Sequence, residues 1–185
     1  MEVTLNHRLT RFRMVLMAVF FLQVSIAAQA PTLQGEMKKL EFLVGEWKGE
    51  GSQTFPGWKY KNSFKQTTKI EITKDSLLRI KDERTYKPKG GALHTGSLEA
   101  IISYDAKLKL YSWRGKNSKI TLEAKLIGER TFQFGMPFSA VIQPGEGNRK
   151  TTIRVTENGE WHETIEEFFE GEWFVMEEST LKKVK

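Results

Sequence analysis

Cysteine is absent from all 185 residues. That excludes disulfides, thiolate metal sites, a catalytic thiol and an acylated lipoprotein N-terminus. Histidine is nearly absent: of three in the chain, only His94 and His162 lie beyond the first thirty residues. The two stand far apart, in no metal-type spacing, and could fill a zinc shell only with carboxylates. The sequence contains no G-x-S-x-G, H-E-x-x-H or phosphate-loop pattern, so the common nucleophile, zinc-protease and nucleotide-binding signatures are missing. No internal repeat, low-complexity linker or second domain is visible. Helical periodicity is equally scarce, and no stretch is long enough for the crossover helix of a parallel sheet.

What is present early is a leader. Arg8, Arg11 and Arg13 precede an apolar run from Met14 to Ile26, interrupted only by Gln23 and Ser25, and Ala27, Ala28 and Ala30 follow. A run of about thirteen residues is short of the roughly twenty needed to span a bilayer, so residues 1–30 read as a secretory signal peptide. Residues 31–185 read as one domain, exported to the periplasm or secreted. The leader holds Glu2 and three arginines, so its removal lowers the net charge from +6 to +4. Such a mild excess does not argue for a nucleic-acid partner. The sequence leaves the oligomeric state open.

The domain opens on Leu33, Met37, Leu40 and Val44, spaced as one face of a short helix. Gly45 ends that segment and begins a strand in which Gly45, Trp47, Gly49 and Gly51 fall on every second residue. Alternation puts all four on one face, with Trp47 as the large apolar anchor and the glycines leaving room for close backbone approach or a sharp bend.

Alternating runs follow at Ser63–Ile72, Leu77–Lys87, His94–Tyr104, Lys107–Trp113, 120–126, Thr131–Phe134, Ser139–Gln143, Thr151–Val155, Glu160–Phe168 and Trp173–Lys183. Turn signals punctuate them at Phe55-Pro56-Gly57, Pro88-Lys89-Gly90-Gly91, Pro144-Gly145, Asn158-Gly159 and Glu170-Gly171. The pattern predicts an all-β fold: a closed antiparallel barrel of about ten strands, one end capped by the short helix. A two-sheet sandwich is the alternative.

Several strands carry polar residues on the face that also holds their apolar ones. Gln66 and Thr68 lie between Phe64 and Ile70, Asp82 and Arg84 lie between Ile80 and Tyr86, and His94 shares parity with Leu98, Ile102 and Tyr104. Buried polar groups are costly unless paired or hydrated, and a ligand cavity is one place for them. The candidate ligand-binding residues are therefore Phe64, Gln66, Arg84, Tyr86, His94 and Tyr104. Arg84 is the expected anchor for an anionic ligand, since its planar guanidinium suits a carboxylate.

No residue is assigned as catalytic or as a metal ligand. Enzyme chemistry would fall to Glu163 or His162, and a haem would need His94 as its axial ligand. Residues 157–178 hold nine glutamates and no lysine or arginine. They read as an acidic closing hairpin facing the lysine-rich early strands (Lys48, Lys59, Lys61, Lys65, Lys69), or as a partner surface.

The motif Gly45-x-Trp47-x-Gly49-x-Gly51 with Phe55-Pro56 resembles the opening of nitrobindin-like proteins. More loosely, G-x-W after a short helix resembles the calycin group of lipocalins and fatty-acid-binding proteins. The segments Glu36–Gly49, Ile101–Asp105 and Glu170–Lys183 resemble a family of secreted bacterial domains of unknown function, which offers no established activity to inherit. The resemblance implies a calycin-like, lipocalin-like barrel with an internal ligand cavity. It also implies that Trp47 seals the floor beneath a basic residue of the last strand, Lys182 or Lys183. Nitrobindins carry their haem-ligating histidine near the C-terminus, and Trp173–Lys185 has none, so no cofactor is expected.

Overall fold

The computed structural model describes residues 31–54, 61–87, 91–135 and 148–184. Ten strands form one closed antiparallel barrel. In chain order they are β1 (Gly45–Gln53), β2 (Asn62–Ile72), β3 (Leu78–Tyr86), β4 (His94–Asp105) and β5 (Leu110–Gly115), then β6 (Thr121–Gly128), β7 (Thr131–Gly135), β8 (Arg149–Val155), β9 (Glu160–Phe169) and β10 (Glu172–Lys183). Each strand pairs with its sequence neighbours, and β1 closes the ring on β10 from Trp47–Lys183 to Gln53–Glu177. Closure leaves no edge among the described strands, so the sandwich alternative is set aside. The expected strand at Ser139–Gln143 and the turns at 55–57, 88–90 and 144–145 lie outside the described residues.

Alternation decides which residues fill the barrel. In β3, Leu78, Ile80 and Asp82 are buried while Arg79, Lys81 and Glu83 are exposed. In β9 the inward set is Trp161, Glu163 and Ile165. The antiparallel order gathers the start of β1 and the ends of β4 and β10 at one end, where the apolar core concentrates. Leu40, Leu43, Trp47, Leu78, Ile102, Phe132, Trp161 and Leu181 are almost wholly buried there.

Gly35–Leu43 is a 3₁₀ segment rather than an α-helix. Its three-residue turn buries Met37, Leu40 and Leu43. Val44, expected on the buried face, is extended and only partly buried. Leu33, just before the segment, joins the core as expected. Two side chains fasten the segment: Trp47 Nε1 donates to the Leu43 carbonyl (2.9 Å), and the Tyr111 hydroxyl donates to the Glu36 carbonyl (2.9 Å). Burial, with the Glu36 contact, pushes the Tyr111 phenol up to about 12.

The glycines of β1 serve close approach. A Cβ at Gly49 would strike the Thr180 carbonyl and lie 2.8 Å from Leu181 Cα; one at Gly51 would strike the Phe64 ring. Trp47 packs on Trp161 with centroids 5.4 Å apart. Lys183 lies over the Trp47 ring, Nζ 5.3 Å from its centroid, whereas Lys182 is largely exposed and 3.7 Å from Glu160.

Candidate functional site

Toward the other end, where β3, β7 and β9 finish and β4, β8 and β10 begin, the interior opens into a cavity of about 400 Å³. One wall is apolar and aromatic: Leu98, Trp113, Leu122, Phe134 and Ile165 line it. Trp113 and Phe134 stack nearly parallel, 8° apart with centroids at 5.1 Å. The opposite pole is charged. Asp82 and Arg84 from β3, Glu163 from β9, Glu177 from β10 and Arg149 from β8 all reach the same space.

Arg84 is the hub of this pole. Its Nε donates to Asp82 Oδ2 (2.8 Å), its Nη2 to Glu163 Oε1 (2.8 Å) and its Nη1 to Glu177 Oε2. Phe64 lies beneath the guanidinium, 5.3 Å from Cζ to ring centroid, and packs against Tyr86. Burial opposes the charge on Arg84, but Glu163, Asp82 and Glu177 outweigh it and hold the guanidinium protonated more firmly than usual.

Gln66 extends the network. Its Nε2 approaches Asp82 Oδ1 (2.9 Å), Glu163 Oε2 (3.0 Å) and Thr68 Oγ1 (3.1 Å), and Thr68 in turn donates to Asp82. Glu177 also accepts from Gln53 Nε2 (3.0 Å) and from the half-exposed Arg149 (3.5 Å). Burial pushes the Glu163 carboxyl above its ordinary range. Asp82 adds to that rise, while Arg84 and Gln66 partly offset it. Burial, followed by the Glu177 charge, likewise raises the Tyr86 phenol.

Of the six expected ligand-binding residues, Arg84 and Tyr86 line the cavity. Phe64 and Gln66 support Arg84 from beneath and beside it. Tyr104 does not belong there: it packs on Tyr111 (5.0 Å) in the core below. His94 begins β4 opposite Tyr86 and is exposed at the rim, absent from the cavity lining. Its parity is inward, but the strand starts there, and no described residue encloses it. Arg84, the expected anchor for an anion, has a carboxylate facing each of its three nitrogens.

Glu177, Arg149, Trp113 and Phe134 line the cavity without being among the residues expected from the sequence, whereas Glu163 is one of the two expected there only for enzyme chemistry. Glu163 was visible as the residue between Trp161 and Ile165 on one face. Glu177 was hidden by a bulge between Val175 and Glu177, which buries both Met176 and Glu177 and breaks the alternation. The acidic hairpin meets the early lysines at one described contact, Lys61–Glu178 (3.4 Å). Glu166 pairs instead with Lys150 (3.2 Å). Among the described residues no group of three His, Asp or Glu could hold a metal ion. No described helix is long and apolar enough to cross a membrane.

No protein-family model matches the chain, and no curated protein matches it. Among solved structures it is similar to a protein of unknown function from the DUF3598 family of Nostoc punctiforme PCC 73102. The two share 13% sequence identity with a TM-score of 0.54, over 88% of this chain and 53% of that one. The chain thus spans about half the length of that protein. Likeness at this identity is a likeness of fold and carries no activity with it.

Proposed function

We propose that the chain is an exported, calycin-like barrel that binds a small, partly apolar molecule, with the 3₁₀ segment capping the end opposite the cavity. The cavity is the observation that carries this reading. Its volume of about 400 Å³ falls in the range of small-molecule sites, and an apolar wall facing a few placed polar groups is their usual composition. The leader-like residues 1–30 support export. Arg84 engages all three carboxylates of the charged pole, so the pole orients a ligand rather than supplying a free nucleophile or base.

The test is to purify the exported protein without refolding and to record its native mass and absorption spectrum before and after denaturing extraction. A stoichiometric extra mass without visible absorption is the expected result. A Soret band would instead indicate haem, for which the rim-exposed His94 is the remaining candidate ligand. An empty barrel that also fails to take up the neutral fluorophore N-phenylnaphthylamine would overturn the reading.

A second reading has its own observation. Phe169, Trp173, Phe174 and Val175 are substantially exposed at the β9–β10 tip, the kind of apolar patch that contacts a partner. Substituting Phe169 and Phe174 with serine tests it: cavity binding should persist, and association with a partner should not.

A further inference from the structure

We propose that the cavity takes a small organic cation: a primary ammonium group carried on an apolar or aromatic body. This rests on the binding reading above and specifies its ligand.

The first argument is charge. Among the described residues the cavity lining holds three carboxyl groups, Asp82, Glu163 and Glu177, against two guanidinium groups, Arg84 and Arg149. Arg149 is 53% exposed and touches Glu177 from the mouth at 3.5 Å. Glu163 and Glu177 are only 7% and 6% exposed. An anionic head group would meet three carboxylates around a guanidinium they already occupy. A cationic one opposes the burial that raises the Glu163 carboxyl and favours all three carboxylates in their ionised form, in a site where Glu163 and Glu177 are poorly screened by solvent.

The second argument is the kind of partner the cluster lacks. The Gln66 side chain is 2% exposed and turned into the acidic cluster, where its Nε2 meets Asp82 and Glu163. Its Oε1 has no hydrogen-bond partner. Ionised carboxylates accept up to about four hydrogen bonds each. Remaining capacity at this pole is therefore largely for donors, and an ammonium offers three donors and no acceptor.

The wall indicates what the ammonium is attached to. Trp113, Phe134 and Tyr86 present aromatic surface within the cavity, which suits an apolar body and attracts a cation at a ring face. A bare metal ion fits less well. Arg84 already spans all three carboxylates, and no metal-holding group occurs among the described residues.

The test is displacement of N-phenylnaphthylamine from the purified protein at neutral pH by three probes of one shape: phenethylamine, phenethyl alcohol and hydrocinnamate. Phenethylamine should bind at least about tenfold more tightly than the alcohol, the scale of one charge-assisted hydrogen bond, and hydrocinnamate should bind weakest. Glu163→Gln and Glu177→Gln should each shrink the amine-over-alcohol ratio, whereas a merely structural loss would weaken both probes alike and leave the ratio unchanged. Equal affinities, or preference for the alcohol or the carboxylate, would overturn the cation proposal and leave cavity binding intact. Loss of the fluorophore signal from wild type altogether would sink both readings.

Discussion

Arg84 on β3 and Glu163 on β9 meet across the barrel interior, Nη2 to Oε1 at 2.8 Å. They lie 79 residues apart in sequence on strands that are not neighbours in the sheet. The same guanidinium holds Asp82 from its own strand and Glu177 from β10. One cation thus joins three carboxylates that would otherwise repel one another in a poorly solvated space, and the cavity's charged pole depends on it.

Arg84→Met should therefore be strongly destabilising at neutral pH, by about 3–5 kcal/mol, the scale of removing one partner from a buried ion pair. Part of the loss should return as pH falls and the stranded carboxylates protonate. Urea unfolding at neutral and mildly acid pH measures both. A loss under about 1 kcal/mol would mean that solvent, not Arg84, balances the carboxylates.

Glu163 sets a pH dependence of definite sign. Its carboxyl titrates higher in the fold than in the unfolded chain, chiefly through burial. Its contribution to stability is then complete below the unfolded value, about 4.3, and is lost as pH rises through the folded one. The groups facing it are Asp82 and Arg84 of β3, Gln66 of β2 and the Trp161 indole of its own strand, and Glu177 of β10 shares Arg84 with it. Glu46, Glu71 and Glu99 titrate lower than usual through hydrogen bonds to Lys48, Lys69 and Lys116 and act in the opposite sense. The difference between wild type and Glu163→Gln isolates Glu163. The variant's melting temperature should gain on wild type as pH rises from about 4 to 8, and a constant difference would contradict the assignment.

Trp47 joins the 3₁₀ segment to the barrel floor through its bond to the Leu43 carbonyl and its packing on Trp161. Trp47→Ala should cost about 3–5 kcal/mol. Trp47→Phe should cost less, yet still lose the roughly 1 kcal/mol of the hydrogen bond. A negligible loss for Trp47→Phe in chemical denaturation would show that the bond contributes nothing.

The turn between β9 and β10 consists of Glu170 and Gly171, both at positive φ (49° and 92°), the backbone of a type I′ hairpin. Glutamate is a poor choice at its first position. Glu170→Asn should raise stability by roughly 0.5–1 kcal/mol without altering the cavity. Thermal melting checks it, and a loss of stability would mean that the Glu170 side chain has a role the turn geometry does not reveal.

Strand positions and closure were legible because alternation is local: a buried Leu78, Ile80 and Asp82 follow directly from residue parity. Arg84 and Gln66 were legible for the same reason, as polar residues on an apolar face. Their partners were not, since pairing across a barrel depends on which strands face one another and on bulges such as that at Val175–Glu177. His94 and Tyr104 show the complementary limit. Parity gives the face of a strand but not the height along it, so one fell on the exposed rim and the other in the packed core. The 3₁₀ segment differed because a run of nine residues fits a period of three nearly as well as one of 3.6.

The cavity itself offers the most direct test. Gly96 on β4 lines it opposite Arg84, and a Cβ there would meet nothing within 4 Å. Gly96→Phe should fill the space without disturbing the strand. The measurement is equilibrium titration of wild type and Gly96→Phe with N-phenylnaphthylamine. Saturable, stoichiometric binding by wild type, lost in a variant that melts as wild type does, is the predicted result. Equal affinity in the two proteins would place binding elsewhere and contradict the account.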